Sequence, residues 1–133
     1  MTRRKPSKLF ILIGINDISR DVPDAVIAEN CRRVIDEVRA ASPDTRIYLQ
    51  SVLPVNPNVP GFPQHYDKQP HVLAVNRRLR EVARSTGARY VNLHALFTDG
   101  RGRLDARYTG DGLHLNERGY RRWVGYLERM GYL

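Results

Sequence analysis

Three short apolar segments alternate with three amphipathic segments along the chain, and this alternation restricts the fold more than any other feature. The apolar segments are KLFILIG (8–14), RIYLQSVLP (46–54) and ARYVNL (88–93). The first is a continuous apolar run, which is typical of a parallel strand buried on both faces. Strands that alternate with helices predict a parallel sheet with right-handed crossovers, so we expect an α/β fold.

The amphipathic segments predict three helices with recognisable boundaries. The first covers 25–41 and ends at Ser42; the second covers 72–85 and is followed by Gly87, which can cap it. The third follows Asn116, a favourable N-cap residue. The predicted inner faces comprise Ile27, Cys31, Val34, Ile35 and Val38 in the first helix, Val72, Val75, Leu79 and Val82 in the second, and Tyr120, Trp123, Val124 and Leu127 in the third.

Length and composition indicate one soluble globular domain over residues 1–133. The chain is 41% apolar and 27% charged, which is ordinary for such a domain. Its longest apolar run is far shorter than the roughly 20 residues that span a bilayer. Cys31 is the single cysteine, and zinc-ligand spacings such as CxxC or HExxH are absent. We therefore expect no disulfide within the chain, no metal and no cofactor.

The formal net charge of +8 raises the question of a nucleic-acid partner. The arginine pairs at 32–33, 77–78 and 121–122 each lie within a predicted helix, largely on its polar side. No block of basic residues is interleaved with aromatic residues. This pattern favours solvated helix faces, so we expect no nucleic-acid partner.

The segment GIND, from Gly14 to Asp17, directly follows the first predicted strand. It places the side-chain amide of Asn16 at the carboxyl edge of the sheet, where α/β proteins bind their ligands. A neutral N–H donor at this edge can stabilise a developing oxyanion. Asn and Asp also favour plain turns. Taken alone, GIND fits either interpretation.

A second motif, TGDGLHLN, places Asp111 three residues before His114 and just ahead of the last helix. A carboxylate at this spacing can fold back onto the imidazole and accept its Nδ1 proton, which leaves Nε2 as a general base. The two glycines of the motif supply backbone freedom, and its two leucines are predicted to point inward. A pattern this short, taken alone, also fits a surface turn with an incidental histidine.

Together, and in this order, the motifs resemble the SGNH or GDSL-type serine hydrolases over nearly the whole chain. KLFILIGINDI resembles the family's third conserved block, IYLQSVLPV the following strand, and YTGDGLHLNERGY the fifth block. The resemblance implies a flavodoxin-like three-layer α/β/α sandwich with a parallel sheet, of which three strands and three helices are present. It also implies metal-free hydrolysis of esters on lipids, acylated sugars or small acyl groups. By the same resemblance, His114 is the general base, Asp111 orients it and Asn16 donates to the oxyanion. Gly14 is the glycine that precedes this asparagine.

The family's first block, a G-D-S turn with the nucleophilic serine, has no counterpart in the sequence. The serines are Ser7, Ser19, Ser42, Ser51 and Ser85, and none has that context. Only a few residues precede the first strand, whereas two βα units of roughly 30 residues each would be needed before it. We therefore expect the carboxyl-terminal portion of an SGNH hydrolase, inactive by itself. A signal peptide of an exported protein would lie in the absent segment, so localisation stays unknown.

Two segments are expected to contact partners. The strand 8–14 would be central in the family fold, so its exposed edge is expected to pair with the missing N-terminal segment or with a second copy. The proline-rich loop 54–70 follows a strand and is long enough to be functional. Within it, His65 and Tyr66 are candidates for binding the ester substrate, although an ordinary exposed loop fits equally. His94 is expected to be structural, and His71 a surface or cap residue.

Two other functions stay open on sequence grounds. A binding or regulatory module could keep the pocket of the family after losing its nucleophile. A basic nucleic-acid-binding domain would require a contiguous arginine face and an affinity that falls steeply with salt. No motif indicates which ester a hydrolase of this kind would cleave.

Overall fold

The computed structural model describes residues 8–12, 22–59 and 69–133. In chain order the elements are β1 (Lys8–Leu12), α1 (Asp24–Ala41), β2 (Arg46–Gln50), α2 (Gln69–Thr86), β3 (Arg89–Val91), α3 (Leu93–Phe97), a 3₁₀ helix (Ala106–Tyr108) and α4 (Glu117–Arg129). The strands form one open parallel sheet in the order β1-β2-β3. The predicted α/β fold with a parallel sheet is confirmed.

The described residues of Met1–Val52 and Pro70–Asn92 form one compact unit that contains the sheet. Its core joins the apolar faces of α1 and α2 to Ile47 and Leu49 of β2. β2 has a neighbour on each side and is buried from Ile47 to Gln50, as a central parallel strand should be. The inner face predicted for α2 is confirmed. In α1 the prediction is right except for Val34, which is 46% exposed.

β1 departs from the expectation of a strand buried on both faces. None of its residues is fully buried, and Leu12 is 43% exposed. Within the described ranges β1 pairs with β2 alone, and Phe10 stacks on Tyr48 with ring centroids 4.7 Å apart. A strand with a single neighbour leaves one edge and part of each face uncovered, so an apolar run by itself does not establish burial.

The borders of the helices and strands differ from the predicted ones at several places. α2 begins at Gln69 rather than at Val72, so His71 lies inside the helix and not before it. Gly87 follows α2 with φ of +76°, as expected of a glycine C-cap. β3 ends at Val91 because the chain then enters α3, a helix of five residues that the sequence analysis did not predict. A helix this short shows no usable apolar periodicity.

The described residues of Leu53–Gln69 and Leu93–Leu133 form a second compact unit. Its buried apolar side chains include Val55, Leu93, Phe97, Leu104, Tyr108, Leu113 and Leu127. Phe97 meets Tyr108 edge to face, with ring centroids 5.7 Å apart. Residues 51–54, predicted to continue β2, belong to no regular element. The prediction of a single domain over 1–133 stays a prediction.

α4 begins where the sequence predicted and buries only part of the predicted face. The side chain of Asn116 accepts a hydrogen bond from the Gly119 N–H over 2.9 Å, which confirms the N-cap. Leu127 is buried as predicted, but Tyr120 and Val124 are 52% and 45% exposed. Apolar spacing identifies the inner arc of a helix, whereas the neighbouring elements decide how much of that arc they cover.

Candidate active site

Two of the predicted site residues, Asp111 and His114, lie in the described part of the chain. Both belong to residues 109–116, which we call the acid–histidine loop. The predicted oxyanion residues Gly14 and Asn16 and the predicted substrate residues His65 and Tyr66 lie outside the described residues. Their roles stay predictions.

The acid–histidine loop is closed at its base and tied to the start of α4. Thr109 and Leu115 form an isolated antiparallel bridge. The backbone N–H of Asn116 donates to the carbonyl of Tyr108 over 2.8 Å. The loop therefore leaves the 3₁₀ helix and returns to the same place before α4 begins, which makes it a compact turn.

Gly112 sits at the one point of the loop where a side chain would not fit. Its φ is +82°, a conformation that glycine adopts without steric cost. A Cβ atom at this position would lie 2.3 Å from the carbonyl oxygen of Asn56. The Asn56 N–H also donates to the Gly112 carbonyl over 2.8 Å. Gly110, to which backbone freedom was also attributed, has no positive φ, so Gly112 alone requires glycine here.

The carboxylate of Asp111 uses its two oxygens for different tasks. Oδ1 accepts the backbone N–H groups of Leu113, over 2.8 Å, and of His114, over 2.7 Å. Oδ2 lies 2.8 Å from Nδ1 of the His114 ring. The backbone of the loop thus orients the carboxylate, and the carboxylate in turn orients the imidazole.

These hydrogen bonds determine the protonation of the pair. Burial by itself raises the pKa of Asp111, but hydrogen bonds from the His114 N–H, the His114 ring and the Leu113 N–H outweigh it and lower the pKa to about 2. The carboxylate is therefore ionised at neutral pH and can only accept hydrogen bonds. Nδ1 must then carry the proton, and the lone pair of the neutral ring is on Nε2. The His114 side chain is 64% exposed, so this ring can act as a base towards a bound reactant.

Thr109 holds the inside of the loop, a role that the sequence did not predict. Its hydroxyl lies 2.9 Å from the Gly112 nitrogen and 2.7 Å from the His114 carbonyl oxygen, and the residue is only 6% exposed. Threonine and serine hydroxyls bind nearby backbone groups in turns, so a threonine two residues before an Asp-Gly pair is the signal that could have identified it.

His94 lies in a polar cluster whose members are outside residues 109–116. Its Nε2 is 3.0 Å from the side-chain nitrogen of Gln69, and its Nδ1 is 3.2 Å from the hydroxyl of Thr98. Burial lowers the pKa of His94. The Gln69 nitrogen also donates to the Gly102 carbonyl over 2.9 Å. This environment favours the predicted structural role.

The described serines are buried or hydrogen-bonded. Ser42 is 9% exposed and its hydroxyl lies 2.6 Å from that of Thr45. Ser51 is fully buried. Ser85 accepts a hydrogen bond from Arg32 over 2.8 Å. Ser7 and Ser19 lie outside the described residues.

Two kinds of feature are absent from the described residues. Among these residues no group of three or more His, Cys, Asp or Glu side chains could hold a metal ion. No helix in the same ranges combines the length and the apolar character that crossing a membrane requires.

Several known proteins are similar to this chain. The model of the GDSL-like lipase/acylhydrolase family matches residues 1–122. A structure from Streptococcus pneumonia, named for platelet activating factor, is 33% identical with a TM-score of 0.86, and the match covers 93% of this chain and 59% of that one. A GDSL-like lipase from Bacteroides thetaiotaomicron is 22% identical with a TM-score of 0.74, covering 94% and 62%. A peptidoglycan O-acetylesterase is 17% identical with a TM-score of 0.71, covering 93% and 37%.

This chain spans about three fifths of the length of the first two of these structures. A comparison with curated proteins gave no match. The two structures below 25% identity show that the fold is shared. The family model adds sequence evidence over nearly the whole chain. The chain therefore belongs to the GDSL-like lipase/acylhydrolase family.

Proposed function

We propose that this chain carries the acid–base part of an ester hydrolase that uses a serine nucleophile. The contact between Asp111 Oδ2 and His114 Nδ1, at 2.8 Å, is the observation that supports the proposal most. Membership of a family of lipases and acylhydrolases supports ester chemistry. The same family name supports an acyl ester as the substrate, and a similar structure named as a peptidoglycan O-acetylesterase supports an O-acetyl group.

In the proposed reaction, Nε2 of His114 takes the proton of the serine hydroxyl while the serine oxygen bonds to the acyl carbon. The Asp111 carboxylate stabilises the imidazolium that forms. The side-chain N–H of Asn16 donates to the oxyanion of the tetrahedral intermediate, and Gly14 allows the turn that presents it. His114 then returns the proton to the leaving alcohol oxygen as the ester C–O bond breaks. Water repeats the cycle and releases the acid.

The nucleophilic serine of this proposal comes from outside the 133 residues. None of the serines in the sequence stands in a G-D-S context. The described serines Ser42 and Ser51 are buried, and Ser85 is bound to Arg32. We therefore propose that the chain by itself forms no acyl-enzyme. His65 and Tyr66 are proposed to line the substrate pocket of the assembled enzyme.

Labelling with a fluorophosphonate probe tests the absence of a nucleophile. The 133-residue chain should show no covalent adduct by intact-protein mass spectrometry. His114→Ala is the matched variant, because it removes the proposed base. A serine that is labelled in the wild-type chain and unlabelled in His114→Ala would overturn the proposal that the nucleophile lies elsewhere.

The DNA upstream of the first codon tests the enzymatic function itself. It should encode an apolar strand that ends in G-D-S, within about two βα units of roughly 30 residues. The protein translated from that longer frame should hydrolyse p-nitrophenyl acetate, and His114→Ala should lower kcat by roughly 10²–10⁴-fold. His71→Ala, which removes a histidine from α2, is the matched control and should keep full activity. Equal turnover in the wild type and in His114→Ala would contradict the role of His114 as the base. No turnover above the uncatalysed rate in the wild type would favour a binding module without catalysis.

The edge of β1 is proposed to pair with a strand of the same domain from outside the 133 residues. Leu12 is 43% exposed, and within the described ranges β1 has β2 as its only strand neighbour. The similar structures have longer chains, which supports a strand of the same domain as the partner of this edge. An uncovered apolar edge should make the chain alone associate through 8–14, with light scattering reporting a dimer or larger species. A stable monomer would contradict this.

A nucleic-acid partner is not part of the proposal. Arg39 and Arg84 lie in the last turns of α1 and α2, where a positive charge offsets the helix dipole. Arg33 lies 3.6 Å from Glu29 within the same helix. At these positions the basic residues form part of the solvated faces of the helices. Nucleic-acid binding whose affinity falls steeply with salt would reverse this conclusion.

A further inference from the structure

We propose that Thr109 is the positioning residue of the acid–histidine pair. Its hydroxyl maintains the loop conformation in which the Asp111 carboxylate reaches the ring of His114. This inference rests on the proposed function, because it assigns to Thr109 a role in that same site. It adds a residue that acts through Asp111 and touches neither the ring nor a reactant.

The hydroxyl of Thr109 binds backbone groups of Asp111 and of two residues that follow it. It accepts the N–H of Gly112 over 2.9 Å and lies 3.3 Å from the N–H of Asp111 itself. Its own proton has two acceptors within reach, the His114 carbonyl oxygen at 2.7 Å and Asp111 Oδ1 at 3.4 Å. The shorter contact is the stronger one, so the hydroxyl donates to the His114 carbonyl. One side chain thereby ties together three residues of the loop.

These backbone contacts determine where the carboxylate points. Asp111 Oδ1 is held by the N–H groups of Leu113 and His114, and both groups belong to the segment that Thr109 binds. If this segment shifts, Oδ1 loses its donors, and the direction of Oδ2 towards Nδ1 is no longer imposed. The orientation of the imidazole would then depend on the ring contact alone.

Burial makes the hydroxyl difficult to replace. Thr109 is 6% exposed, and Gly112 is also buried. Valine has nearly the same shape but neither donates nor accepts. In Thr109→Val the buried Gly112 N–H would lose its partner in a place with little access for water, so the backbone has to move to satisfy it.

Nitrogen-15 NMR of the histidine ring measures the consequence in the 133-residue chain. In the wild type, neutral His114 should be the Nδ1–H tautomer. In Thr109→Val the ratio of the Nδ1–H to the Nε2–H tautomer should fall by about tenfold, on the order of the net contribution of one hydrogen bond. Thr109→Ser, which keeps the hydroxyl, should retain the wild-type ratio.

Thr98→Val is the matched control. The Thr98 hydroxyl also donates to a histidine carbonyl in the same unit, that of His94. This variant should lower the thermal unfolding midpoint and leave the His114 tautomer unchanged. This control would show that a loss of stability alone does not change the His114 tautomer ratio.

Three outcomes would overturn the inference. The first is a wild-type tautomer ratio in Thr109→Val. The second is a tautomer ratio in Thr109→Ser that falls as far as the ratio expected in Thr109→Val. The third outcome applies if Thr109→Val does not fold. In that case, hydrogen–deuterium exchange of the Gly112 amide in the wild-type chain at the rate of an unprotected amide would overturn the inference. Unchanged turnover in His114→Ala would defeat the proposed function and leave these NMR results intact, so the two failures are distinguishable.

Discussion

Asp111 holds His114 at two points, through the backbone and through the ring. The backbone N–H of His114 donates to Oδ1 over 2.7 Å, and ring Nδ1 lies 2.8 Å from Oδ2 of the same carboxylate. A rotation of the carboxylate that weakens one contact therefore also weakens the other. The geometry of the pair is consequently a property of the loop conformation, and the predictions for this site follow from it.

Asp111→Asn should reverse the tautomer of His114. The N–H groups of Leu113 and His114 require an acceptor at the position of Oδ1, so the asparagine oxygen should take that place. Its NH₂ group then faces Nδ1 and donates to it, which leaves the ring proton on Nε2. In the assembled hydrolase this should lower kcat by roughly 10⁴-fold, as expected when the catalytic histidine adopts the wrong tautomer.

The tautomer in Asp111→Asn can be measured by nitrogen-15 NMR without any enzymatic assay. Asp105→Asn is the control, since Asp105 pairs with Arg107 over 2.8 Å elsewhere in the same unit. It should leave the ring of His114 as in the wild type. An Nδ1–H tautomer in Asp111→Asn would show that the backbone donors do not determine the orientation of the side chain.

Gly112→Ala should destabilise the acid–histidine loop. The residue has φ of +82°, and the new Cβ would lie 2.3 Å from the Asn56 carbonyl oxygen. Backbone strain of this kind costs about 1–3 kcal/mol before the clash is counted. Gly110→Ala is the matched control, because its Cβ meets nothing within 4 Å. Urea unfolding should show a clear loss of stability for the first variant and little change for the second; equal effects would contradict the assigned role of Gly112.

His94 should make the stability of the chain depend on pH. Burial lowers its pKa, so the folded chain binds this proton less readily than the unfolded chain, where the pKa is about 6.5. Its contribution is therefore fully present above about pH 6.5 and is lost as the pH falls towards the lower, folded pKa. Urea unfolding at pH 7.5 and 5.5 should show a smaller loss for His94→Gln than for the wild type. An identical loss in both proteins would exclude His94 as the cause.

Asn76→Ala should remove a link between α2 and the residues that follow β2. The Asn76 side chain accepts the N–H of Val52 over 2.7 Å and donates to its carbonyl over 3.0 Å. Each buried group left without a partner costs about 1–3 kcal/mol. Asn30→Ala, at an exposed position of α1, should change the free energy of unfolding by less than about 0.5 kcal/mol. Similar effects of the two substitutions would contradict the importance of this link.

Several features could be predicted because they depend on neighbours in sequence. Apolar spacing identified the buried faces of α1 and α2, and a single side chain, Asn116, identified the start of α4. The separation of Asp111 and His114 predicted their contact once the two motifs were taken together, because three residues in a turn keep two side chains within reach. β1 was predicted correctly as a strand, but the partial exposure of its residues was not predicted.

The sequence by itself determined the order of the three strands and the three long helices, the family motifs and the pairing of Asp111 with His114. Tertiary structure alone decided that no residue of β1 is fully buried, that Tyr120 faces outward, and that Gly112 must leave room for the Asn56 carbonyl. It also decided that the hydroxyl of Thr109 holds the loop from inside. Local patterns encode local hydrogen bonds and periodicity, whereas burial and close approach depend on segments far apart in the chain, whose positions only the folded structure supplies.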